Sequence, residues 1–185
     1  VIDHPWAGFA AKHNVLLPLN KYLPAEFLAN QRENSVGKSF ESYDFDGFQS
    51  ALPIDAASPV ALSRPDKIGT EDLPKTFDEV LELAKQGKVI YAATPTYLLM
   101  DFYGMCATAD AGLFDPANEG HVVDREHGLA VLADMRELAS LCPAKVFSLS
   151  TIDVHEELAK SDTAAYCPWV YGYVNYSRRG YAAHR

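Results

Sequence analysis

Chemistry in this chain would have to come from aromatic and polar residues gathered at a few junctions. Asp3-His4-Pro5-Trp6 follows a first apolar run, Asp55 closes another, and Thr94-Pro95-Thr96-Tyr97 follows the run Val89–Ala93. The last junction is Pro168-Trp169-Val170-Tyr171-Gly172-Tyr173. A flat aromatic face packs on the C–H face of a sugar ring, and carboxylates accept charge-assisted hydrogen bonds from its hydroxyls. An isolated Trp such as Trp6 or Trp169 is more often core, but four such junctions in one chain reduce that preference. Tyr166, Trp169, Tyr171, Tyr173, Tyr176 and Tyr181 all lie between residues 166 and 181, more than a structural element start requires.

Other chemistry finds less support. Asp3, Asp55 and Asp101 each sit beside apolar residues, where a raised pKa would suit one member of a glycosidase carboxylate pair. Sequence does not fix their separation, and loop aspartates are common in any α/β domain. The histidines at 4, 13, 121, 127, 155 and 184 include no His-Glu-x-x-His pair, and no Cys-x-x-Cys completes a metal site. There is no Gly-x-Gly-x-x-Gly, no phosphate loop and no Gly-x-Ser-x-Gly turn. Neither a metal nor a cofactor is expected.

The elements that must position these residues are short. Val1–Asp3 reads as a strand that Pro5 prevents from continuing. Val15–Leu19 reads as an extended connector, residues 22–34 as a helix entered through Pro24, and Val36, Phe40 and Tyr43 as a second short helix. Phe45-Asp46-Gly47-Phe48 predicts a hairpin, followed by a strand over 49–54. Pro59–Ser63 is another extended run, and residues 64–74 form a polar loop. Thr76-Phe77-Asp78-Glu79 is a capping box opening a helix that Gly87 closes. Val89–Ala93 predicts a buried strand and Leu98–Ala109 an apolar helix. Asp124 caps a long helix whose stripe is Leu129, Leu132, Met135, Leu138 and Cys142. Ser150 or Thr151 caps a helix through Lys160, and Thr163–Cys167 is a final strand ended by Pro168. Short strands alternating with helices predict an α/β fold. In open sheets of that class, ligands bind beyond the carboxyl ends of strands, where the junctions would lie.

Composition sets the outer limits. The chain has 185 residues, with 16 Lys+Arg against 25 Asp+Glu and a net charge of −9, so it lacks the basic face that nucleic acid requires. Hydrophobic residues at 48% are enough for a packed core, and no run of eighteen apolar residues spans a membrane. Cys106, Cys142 and Cys167 are too few for a disulfide framework and read as buried free thiols, though a single pair stays open. The abrupt start at Val1 and the end after Tyr176–Tyr181, with no closing helix, read as an internal segment of a longer protein.

These residues carry a resemblance. Val-Ile-Asp-His-Pro-Trp-Ala-Gly (1–8), Leu-Pro-Leu (17–19), Phe-Asp-Gly (45–47) and Ala-Leu-Pro-Ile-Asp (51–55) resemble, in order, the extracellular solute-binding proteins of ABC sugar importers (family 1, maltose-binding-protein-like). Residues 73–84 look like that family's Pro-x-Thr-Trp-x-Glu segment, with Phe77 in place of Trp. Residues 165–173 resemble its Gly-Pro-Trp turn, with Cys167 in place of Gly.

The resemblance implies a type II periplasmic-binding-protein fold, two α/β lobes joined by a hinge and incomplete in this chain. Residues 1–55 would be part of lobe 1, 56–63 the hinge crossover, and 64–185 most of lobe 2. It implies Asp3, His4 and Trp6 as a first ligand loop and Asp55 as an acidic contact near the hinge. Tyr97 would be the stacking aromatic of lobe 2, with Trp169 and Tyr171 in the last loop. It implies a small solute, a sugar that need not be a maltodextrin, delivered to ABC transporter permease subunits. The location would be periplasmic or extracellular, with a membrane anchor open. Such a protein is not an enzyme; the alternatives are a glycoside hydrolase-like enzyme and a non-catalytic interaction domain.

Overall fold

The computed structural model describes residues 1–54, 57–108, 113–114 and 120–172. The chain divides into two compact units, Val1–Ala57 and Ser58–Arg185. It is a mixed α/β chain with small sheets.

In the first unit the expected strand at Val1–Asp3 is absent, and helix α1 runs over His4–Lys12 instead. Pro5 decides this: its fixed φ suits a first helical turn, and its missing N–H has no partner to lose there. Asp3 is the N-cap in extended conformation, although its side chain makes no capping hydrogen bond. Helix α2 covers Ala25–Glu33 behind Pro24, much as the pattern predicts. The region of Val36–Tyr43 gives turns and a short 3-10 helix at Glu41–Tyr43 rather than an α-helix. Strands β1 (Asp44–Phe45) and β2 (Phe48–Gln49) form the expected hairpin. Asp46 at φ 53° and Gly47 at φ 80° both take the left-handed conformation that a two-residue turn of this hand requires. The predicted strand over 49–54 stops at Gln49.

Little is buried in this unit. Ala7, Ala10, Phe40 and Gln49 are its buried residues among those described. Gln49 acts as a polar staple: its amide donates to the carbonyls of Phe40 (2.9 Å) and Ala51 (2.7 Å), and its N–H donates to Asn20 Oδ1.

The second unit holds the main core. Strand β3 (Val60–Ser63) pairs antiparallel with β4 (Tyr166–Val170), and the ladder is irregular between Val60↔Val170 and Leu62↔Cys167. That irregularity accommodates Pro168, which therefore lies inside the strand rather than ending it. Helix α3 (Phe77–Lys85) opens with the predicted capping box. Thr76 Oγ1 accepts from the Glu79 N–H, and the Glu79 carboxylate accepts from the Thr76 N–H. It closes at Gly87, φ 70°, whose N–H donates to Ala84 O while the Lys88 N–H donates to Leu83 O.

Residues 89–93 are buried as expected, yet they do not form a strand with a ladder of its own. They make one parallel bridge, Val89↔Tyr166, and are pinned by Ile90 N–H to Tyr166 O and Ala93 N–H to Val146 O. Helix α4 (Pro95–Thr108) begins directly at the Thr94–Tyr97 junction. Helix α5 (Arg125–Leu141) is capped by Asp124, which accepts from the His127 N–H. Its buried stripe is Gly128, Val131, Met135 and Leu138; Leu129 and Leu132 are each 50% exposed. The register is shifted because α5 packs beside α4 through Gly128, which lies against Val123 and Phe102. Helix α6 (Thr151–Lys160) is capped by Ser150.

The core joins α3, residues 89–93, α5, α6 and β4, with Tyr91, Leu138, Val146, Cys167 and Val170 almost fully buried. The described strands form two antiparallel pairs and one parallel bridge, not an open parallel sheet. Ligand placement by the strand-end rule therefore does not follow from this topology.

Candidate groove of the second unit

Trp169 lies on β4 at the irregular stretch of the ladder, and the start of α3 comes up beside it. Its ring stacks on Phe77 at 5.9 Å and 25°, and meets Tyr91 edge-on at 5.9 Å and 74°. Phe77 is held there by the capping box, which fixes the first turn of α3 one residue after Thr76. Together they wall an open groove of about 440 Å³, closed on its other side by α4 and α5. Its polar lining includes Lys75, Thr76, Thr108 and Asp134, against the apolar Phe77 and Trp169. Burial first, then the carboxylates of Asp78 and Glu137, raise the Asp134 pKa, so this acid holds its proton more readily than a free one.

A second aromatic pair stands in the same unit. Tyr97, in the first turn of α4, stacks on Tyr171 at 6.0 Å and 27°. One turn after Tyr97 on α4, Asp101 is 2% exposed, with its pKa pushed up to about 7 by burial. The same burial raises the Tyr91 phenol and takes Tyr171 to about 12, and in each the nearby Asp101 charge adds to the shift. The Cys167 thiol, also raised chiefly by burial, donates to the Trp169 carbonyl at 3.2 Å. Cys106, Cys142 and Cys167 are all free thiols, and Cys142 is the one not fully buried.

The expected site residues thus divide. Trp169, Tyr97 and Tyr171 fall in the second unit, where Trp169 lines the groove and the two tyrosines pack on one another. Asp3, His4 and Trp6 fall at the start of α1 in the first unit. There His4 meets Tyr43 edge-on at 5.1 Å, and Trp6 is 64% exposed, so Trp6 is not core. Val1–Asp3 form no strand, so these residues sit at a helix start and not at the strand end expected of them. Asp55, together with Tyr173, Tyr176 and Tyr181, lies outside the described residues.

Sequence reasoning placed Phe77 as a helix position standing where the resembled segment has Trp, placed Tyr91 only within a buried strand, and did not single out Lys75, Thr108 or Asp134. The signal for Tyr91 was present: a phenol inside the run Val-Ile-Tyr-Ala-Ala must find a polar partner when buried. Among the described residues, no group of three or more His, Cys, Asp or Glu side chains is placed to hold a metal, and no helix is long and apolar enough to cross a membrane. Comparison with family models, with curated proteins and with solved structures finds no match to this chain.

Proposed function

We propose that this chain binds a small carbohydrate, as a segment of an extracellular solute-binding protein that delivers its ligand to an ABC importer. The observation that carries the reading is the groove in which Trp169, stacked on Phe77, faces Lys75, Thr76, Thr108 and Asp134. A volume of about 440 Å³ falls in the range of small-molecule sites, which combine apolar walls with a few polar groups. An aromatic wall suits the C–H face of a pyranose, and hydroxyl and carboxyl groups suit its hydroxyls. The type II periplasmic-binding-protein fold, the permease partner and the periplasmic or extracellular location stand with the same proposal and rest on the resemblance in sequence.

Thermal-shift measurement of the chain against a panel of mono- and disaccharides tests it, since a ligand that binds the native state alone raises its apparent stability. At least one sugar is expected to raise the melting temperature, and Trp169→Ala to abolish that rise. A panel with no effect, or a shift that survives in a folded Trp169→Ala protein, refutes the groove as the site.

A further inference from the structure

Gly104 and Met105 of α4 line the groove, and Asp101 lies one turn earlier on the same helix, 2% exposed. Its Oδ1 is buried with no hydrogen-bond partner among the described residues, and so are the hydroxyls of Tyr91 and Tyr171. Tyr97, one turn before Asp101 on α4, stacks on Tyr171, and Tyr91 packs on Trp169 two residues before Tyr171, which brings the three side chains to neighbouring positions. That region is next to the groove, because Tyr91 meets the edge of Trp169 and Trp169 forms the groove wall. Folded proteins pair such oxygens with water or with a ligand.

The donor set selects the ligand. One carboxyl group and two phenols are too few for a hard cation, which takes six or more oxygens. An anion would be repelled whenever Asp101 ionises. A protonated carboxyl and a phenol each donate one hydrogen bond and accept others, which complements the hydroxyls of a neutral polyol. Trp169 is the groove-wall residue whose ring contacts Tyr91. It stands on the irregular part of β4, where Pro168 and Trp169 lie opposite Ala61 without regular pairing, the type of site at which strands re-aim side chains.

We propose that the groove extends inward, past Trp169, to a polar floor of Asp101, Tyr91 and Tyr171 that binds hydroxyl groups of the sugar. This rests on the carbohydrate reading of the groove. Isothermal titration of the chain with D-glucose, D-galactose and maltose, and with their monodeoxy analogues, tests it. For a sugar that binds, Asp101→Asn, Tyr91→Phe and Tyr171→Phe are each expected to weaken affinity about tenfold. One deoxy analogue should bind the unaltered chain about tenfold more weakly than its parent sugar, and should lose nothing further in Tyr171→Phe or Tyr91→Phe. A sugar that binds all three variants as tightly as the unaltered chain leaves the groove intact and overturns the floor. Deoxy analogues that all bind the unaltered chain as tightly as their parents also overturn it, without need of any variant. Failure of every probe to bind the unaltered chain refutes the carbohydrate reading itself, and the floor with it.

Discussion

Asp101→Asn is the perturbation with the clearest expected size, because the carboxyl is buried on α4 with no cation facing it. The groups around it are Tyr91 from the 89–93 segment, Cys167 and Tyr171 from β4 and the residues after it, and Tyr97 one turn before it. Tyr91, Cys167 and Tyr171, all shifted upward by burial, are neutral near pH 7. The native state therefore holds the Asp101 proton up to about pH 7, while the unfolded chain releases it near 3.8. Between those values the native state binds the extra proton, so stability falls as pH rises, and it stays low above pH 7. Three pH units at about 1.4 kcal/mol each set a ceiling of about 4 kcal/mol.

Other groups act in nearby windows. His155, whose pKa burial lowers, loses stability as pH falls below about 6.5, opposite in sign to Asp101. The depressed carboxylates of Asp66, Glu79, Asp124 and Asp153 act below about pH 4, where stability falls with falling pH. Comparing the variant with the unaltered chain cancels all of these. Urea unfolding followed by tryptophan fluorescence, at half-unit steps from pH 4.5 to 8.5, gives the difference directly. The stability of Asp101→Asn relative to the unaltered chain should rise by about 3 kcal/mol between pH 4.5 and 8. A difference that stays flat across that range would refute both the burial of the carboxyl and its elevated pKa.

The cap of α3 gives a separate expectation: Thr76→Ala removes the acceptor for the Glu79 N–H and should cost about 1 kcal/mol in the same unfolding assay. An unchanged midpoint would mean that the first turn of α3, and with it Phe77, is held by something else. Thiol labelling provides another test. Cys106 and Cys167 are buried, while Cys142 is partly exposed with its pKa raised to about 11 by burial. In the native chain at pH 8 all three should label far more slowly than in denaturant, Cys142 first, as peptide mapping would show; early labelling of Cys167 would contradict the packing of β4.

What was legible in the sequence was whatever local chemistry decides. The Asp46-Gly47 turn, the Thr76 capping box, the Gly87 stop and the Asp124 and Ser150 caps each depend on residues within a turn of one another. Their side chains satisfy backbone groups wherever the segment is placed. The misreadings came where two local options compete and tertiary packing chooses. At Pro5 the same missing N–H that bars a strand interior favours a helix start, and the chain takes the helix. In α5, Leu129 and Leu132 made as good a stripe on paper as Gly128 and Val131. The stripe carrying glycine is the buried one, because the segment entering α5 folds back over it: a Cβ at Gly128 would come within 2.9 Å of Val123, with Phe102 of α4 at 3.8 Å. Residues 89–93 have strand composition, but their backbone is pinned singly to Tyr166 and Val146 and does not join a ladder.

The candidate site divides along the same line. Trp169 was readable because an aromatic beside a proline at the end of an apolar run is visible in sequence alone. Its partners were not, since they come from elements far apart in the chain: Phe77 from α3, Tyr91 from the segment after it, Thr108 from α4 and Asp134 from α5. No spacing rule links those positions; only the pairing of β3 with β4 and the packing of α4 on α5 brings them to one place. Asp101 shows the reverse case. It drew notice as one possible half of a glycosidase pair, a role that needs a second carboxyl across an accessible gap. Its surroundings are two phenols and a thiol, all raised by burial, and the same burial brings the carboxyl's pKa up to about 7. A raised pKa would suit the general acid of such a pair, but the groups whose electrostatics couple to Asp101 among the described residues are phenols and a thiol, not a second carboxylate. Under the carbohydrate reading proposed above, a carboxyl in that setting exchanges hydrogen bonds with a sugar hydroxyl.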